Sequence, residues 1–86
     1  MNDPKIVVIC RESEAPRWKE FITNHFDGEG IVIRPMQPLY GTRTPLIIED
    51  IPQEDTWRPE YAEWFQRDIM CRVKRDGIVH VGGRAL

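Results

Sequence analysis

No stretch of this sequence approaches the roughly twenty apolar residues that a helix needs to cross a bilayer, and Met1-Asn2-Asp3-Pro4-Lys5 leads into no apolar signal core. These absences point to a cytoplasmic protein with no membrane contact. Only two cysteines, Cys10 and Cys71, occur in 86 residues, spaced neither as CxxC nor as half of a zinc site. A disulfide framework and a metal centre are therefore not expected, and two free, largely buried thiols are. A strong excess of one charge is also missing. Twelve Lys and Arg against 14 Asp and Glu leave a net charge of −2, too little positive charge for phosphate-driven nucleic-acid binding and too little negative charge for a mimic of DNA. The sequence has no Walker lysine loop, no GxGxxG after a strand, no GxSxG and no HExxH, so no cofactor is assigned.

What is present is an ordinary globular composition, 41% hydrophobic and 30% charged, in a length that suits one domain over residues 1–86. Lys5-Ile6-Val7-Val8-Ile9-Cys10 is apolar at consecutive positions, which predicts a central strand covered on both faces. Pro16 suits a first helical turn, with the cap at Ser13 or Glu14. Trp18, Phe21, Ile22, His25 and Phe26 then recur at helical spacing until Asp27-Gly28-Glu29-Gly30 stops the helix. Ile31-Val32-Ile33 and Leu46-Ile47-Ile48 read as strands. The 36–44 segment between them is long for a hairpin and short for a helical crossover. A second helix is expected from Thr56 to about Arg75, ending at Asp76-Gly77, followed by a last strand, Ile78-Val79-His80-Val81.

This βαββαβ order predicts a small α+β domain, with a ferredoxin-like sandwich preferred because no helix joins strands two and three. The alternatives are a small doubly wound sheet, in which 36–44 carries the chain to a parallel third strand, and a thioredoxin-like arrangement suggested by Thr44-Pro45 before a strand. A ferredoxin-like sheet has helices on one face only. Its strands should then alternate, and these do not, so a second copy or a partner is expected to cover the other face.

The second predicted helix carries Trp57, Tyr61, Trp64, Phe65 and Ile69 over an arc wider than one sheet contact requires. Asp68 and Arg72 lie within it at ion-pair spacing. Trp57, Tyr61, Trp64, Asp68 and Arg72 are thus the predicted partner-binding set, since aromatic residues and Arg are enriched at binding hot spots. In the 36–44 loop, prolines restrict the flanks and Gly41 permits a positive φ, which makes Tyr40 and Arg43 candidates for a binding rim. The competing expectation is that Leu39 and Tyr40 plug the end of the sheet.

Cys10 ends the first strand before a helix, a position where nucleophiles occur, and His80 would adjoin it if strands one and four pair. Arg17 is too distant in sequence for a phosphatase loop, and the two intervening Glu would repel phosphate. Glu49, Asp50, Glu54 and Asp55 have residue types suited to magnesium but read better as a solvated loop. Arg67, Arg72, Lys74, Arg75 and Arg84 form the only basic cluster, at a helix end where the macrodipole favours cations anyway. The reading of the sequence is therefore a non-enzymatic protein-interaction or regulatory module, possible in a phage or accessory inhibitor setting, that binds a protein partner or itself as a homodimer through the aromatic helix and an exposed sheet face. A thiol-dependent enzyme using Cys10 and a single-stranded nucleic-acid binder are the alternatives.

Overall fold

The computed structural model describes residues 3–39 and 41–80. Strand β1 (Ile6–Cys10) is followed by a 3-10 turn at Glu12–Glu14 and helix α1 (Ala15–Phe26), then β2 (Gly30–Ile33) and β3 (Thr44–Asp50). Two short helices follow, α2 (Gln53–Thr56) and α3 (Pro59–Trp64). A π-turn at Phe65–Ile69 and a 3-10 turn at Met70–Arg72 then lead into β4 (Val73–His80). The strands form one all-parallel sheet in the order β2-β1-β3-β4. The ferredoxin-like expectation is thereby corrected, because that arrangement needs antiparallel neighbours and would set the fourth strand beside the first. Thr44-Pro45, which suggested a thioredoxin-like arrangement by standing before a strand, opens β3 itself, and its peptide bond is trans.

β1 is buried at every position, and its residues alternate between two cores. Ile6, Val8 and Cys10 pack with Trp18 and Ile22 of α1, whereas Val7 and Ile9 pack with Tyr61, Trp64, Phe65 and Ile69 on the opposite face. Helices on both faces explain a strand that is apolar at consecutive positions. α1 starts with Pro16 in its first turn and ends at Asp27, whose φ of 53° and following Gly28 close the helix.

The 34–43 connection crosses from β2 over β1 to β3 without a helix. It is secured by a tight turn, by Leu39 in the core and by the Trp64 indole donating to the Gln37 carbonyl at 3.2 Å. β4 begins at Val73, not Ile78, so the helix expected to reach Arg75 is shorter and broken. Pro59 restarts it, and the π-turn widens it to seat Phe65 and Ile69 in the core. Asp76-Gly77 forms a bulge rather than a helix stop: between the pairs Thr44/Val73 and Leu46/Ile78, β4 advances five residues while β3 advances two. A Cβ on Gly77 would sit 2.8 Å from the Lys74 carbonyl, which fixes glycine there. The expected strand residue Val81 lies outside the described residues. Among the described residues no helix is long and apolar enough to cross a membrane.

Candidate functional site

In this sheet the chain leaves the carboxyl end of β1 toward β2 and that of β3 toward β4, in opposite directions, so a crevice opens between the carboxyl ends of β1 and β3. Adjacent residues at the end of β3 turn to opposite faces, as a strand requires. Glu49 is buried on the α3 side, where the Tyr61 hydroxyl donates to it at 2.5 Å. Asp50 faces α1, accepting from the Trp18 indole at 2.7 Å and from Arg17 at 2.9 Å. The two helices are thereby tied to the same strand end. Burial, the hydrogen bond to Glu49 and its negative charge push the Tyr61 phenol well above its usual range.

On the α3 side of this edge lies a cleft of about 280 Å³. Its floor is Ile51, just beyond β3, with the Tyr61 side chain beside it, and Pro35 and Met36, from the turn after β2, form an apolar wall. Arg11 at the end of β1 reaches across to Asp55 of α2 at 2.6 Å, and Arg58 and Glu60 complete the lining. The turn is closed by the Gln37 amide donating to the Arg34 carbonyl at 3.1 Å and by the Arg34 amide donating to the Gln37 side chain. Pro35 sits where proline favours such a turn, and Met36 sits at φ 72°, where glycine is the usual occupant. Met36 is nevertheless 50% exposed, and Trp57, between α2 and α3, is 71% exposed.

The predicted partner-binding set divides. Tyr61 and Trp64 are core residues, at 6% and 1% exposure, so neither offers a free face to a partner. Their spacing with Phe65 and Ile69 marks the sheet-facing stripe of a broken helix, and only Trp57 of the three predicted aromatics points outward. Asp68 pairs with Arg67 rather than Arg72, and the Arg72 Nε has no hydrogen-bond partner among the described residues. Of the basic cluster, Arg67 is engaged by Glu63 and Asp68, and Arg84 lies outside the described residues.

Tyr40 also lies outside the described residues. Gly41 has the positive φ its turn needs, and Arg43 is exposed, making no ion pair with Glu49 or Asp50. Leu39 is buried, in keeping with the plug expectation for that residue.

Cys10 is fully buried, and burial first, then the Asp50 and Glu14 carboxylates, raise its pKa from 9.0 to about 11. This is the reverse of what a nucleophilic thiol requires. His80 pairs with Ile48 on the far side of β3, so it is two strands away from Cys10 and forms no dyad with it. Cys71 is exposed, contrary to the expectation that both thiols are largely buried. Three of the four acidic residues considered for magnesium are held by different partners: Glu49 by Tyr61, Asp50 by Arg17 and Trp18, and Asp55 by Arg11.

The sequence reading missed the cleft, because Arg11, Met36 and Ile51 meet only through the strand order. The usable signal was positional: each follows or nearly follows a strand end, where open parallel sheets place ligands. No family model matches this chain, and neither the curated proteins nor the solved structures compared with it gave a match.

Proposed function

We propose that this chain is a small non-enzymatic recognition module, of protein-interaction or regulatory type, and that it holds its partner at the carboxyl edge of the sheet. The observation that carries this reading is the cleft at the switch point, rimmed by Met36 in a strained backbone position and flanked in sequence by the exposed Trp57. A non-glycine residue at positive φ costs about 1–2 kcal/mol, so a half-exposed methionine there is a poor choice for stability alone. Covering Trp57 would remove on the order of 150 Å² from water, about 4 kcal/mol before association costs are subtracted. The volume suits one or two amino-acid residues and is small for a dinucleotide. A partner chain that inserts an anchoring side chain is therefore favoured over a cofactor.

Selection of random linear peptides on the immobilised chain tests this reading. The selected peptides are expected to lose at least about tenfold in affinity on Trp57→Ala, the effect of a hot-spot residue. Peptides that bind the variant as well as the parent would overturn it.

A second reading, self-association, is favoured by one observation. Ile78 is 64% exposed on the edge strand β4, beside Leu46 on β3, so part of the sheet lacks cover among the described residues. Sedimentation equilibrium tests it: a dimer dissociated by Ile78→Glu supports this reading, and a monomer at all concentrations removes it.

A further inference from the structure

Two opposite charges border the cleft without neutralising each other. Arg58 precedes α3 and Glu60 lies in its first turn; both line the cleft, and neither forms an ion pair with a described residue. Residues two apart at a helix start do not face one another, which holds the two charges apart. Arg11, across the cleft, is already matched by Asp55. The surface these charges border is apolar, made by Ile51, Pro35 and Met36.

A purely anionic ligand would meet Glu60, and a purely cationic one would meet Arg58. A ligand carrying both charges around an apolar centre satisfies all three features. Resting on the recognition reading above, we infer that the cleft takes a peptide segment in which one apolar side chain lies between an acidic and a basic residue. The apolar side chain covers Ile51 and Met36, the carboxylate accepts from the Arg58 guanidinium, and the cation donates to Glu60. Exposed pairs of this kind each change affinity by about two- to fivefold, so the apolar contact supplies most of the binding and the charges supply the choice of sequence.

The test uses the whole chain, isotopically labelled, titrated with acetyl-Glu-Leu-Lys-amide, acetyl-Gln-Leu-Gln-amide, acetyl-Glu-Ala-Lys-amide and free leucine at low salt. Amide resonances of Ile51, Arg58 and Glu60 are expected to move with the first peptide, with an affinity about four- to twenty-five-fold lower for the uncharged one, and least with the alanine one. Arg58→Gln and Glu60→Gln, both at exposed positions, should each erase part of the preference for the charged peptide. Equal binding of the charged and uncharged peptides, or a preference unchanged in both variants, overturns the inference and leaves the recognition reading standing. Resonances that move with free leucine and not with the tripeptides overturn it in favour of a small-molecule site. Resonances that move with no probe overturn it as well, while the peptide selection judges the recognition reading independently.

Discussion

Alkaline pH is expected to destabilise this fold through Cys10. The thiol is fully buried at the end of β1, with Asp50 and Glu14 near it, and its pKa rises from 9.0 to about 11. The folded chain therefore keeps a proton that the unfolded chain releases at lower pH. Stability from this group is complete below pH 9.0 and is lost as the pH climbs through about 11. The interval of about two pH units corresponds to at most about 3 kcal/mol in full, about half of it gone by pH 10. Tyr61, whose pKa is also raised, acts in the same direction but begins at higher pH, so its share at that point is the smaller one. Urea unfolding of the parent, Cys10→Ala and Cys71→Ala between about pH 7 and pH 10 separates these effects. The parent and Cys71→Ala should lose stability with pH, and Cys10→Ala should lose about 1 kcal/mol less by pH 10. An equal slope in Cys10→Ala would refute the reasoning. Rapid alkylation of Cys10 in the folded chain near neutral pH would refute it too, and would restore the case for a thiol enzyme.

Tyr61→Phe removes the donor to a buried carboxylate and is expected to cost about 1.5–3 kcal/mol in denaturant unfolding, the range for hydrogen bonds to charged groups. Gly30→Ala drives a Cβ into the Ile6 Cγ2 of β1 and to about 3 Å from Ile22, so β2 or the Ile6 side chain must shift; a loss of about 1–3 kcal/mol by the same assay is expected. Arg11→Ala breaks a pair whose partners are half exposed, and its effect on stability should stay below about 1 kcal/mol. Met36→Gly relieves about 1–2 kcal/mol of backbone strain and loses a similar amount through chain entropy and the buried half of the side chain, so its unfolding midpoint should barely move.

Legibility in the sequence followed how local each signal was. The consecutive apolar run of β1 announced cover on both faces, and the stripe from Trp18 to Phe26 with Asp27-Gly28 announced α1, because each is decided within one element. The sheet order was not local. The 34–43 connection reads as neither hairpin nor helix, and its cover comes from Leu39 and from Trp64, which belongs to another element. The absence of helical pattern in that connection favours a ferredoxin-like sandwich, whereas the consecutive apolar positions of the strands favour the doubly wound sheet, and the all-parallel pairing agrees with the second signal. The error at residues 73–77 has a similar origin. Arg72, Lys74 and Arg75 before Asp76-Gly77 resemble a helix end, and only pairing with Thr44 and Leu46 turns them into a bulged strand. The aromatic arc looks too wide only on an unbroken helix from Thr56: the break before Pro59 removes Trp57 from it, and the stripe that is left, Tyr61, Trp64, Phe65 and Ile69, is what one sheet contact needs. The cleft was invisible until topology brought three strand ends together.

The recognition surface is tested most directly by the affinity of one selected peptide for the parent, Met36→Gly, Trp57→Ala and Ile78→Glu, with unfolding curves run alongside. The cleft account predicts that binding falls at least about tenfold in Met36→Gly and Trp57→Ala, without a matching loss of stability, and is unchanged in Ile78→Glu. Binding that survives the first two substitutions and disappears with the third would contradict it and move the recognition surface to β4.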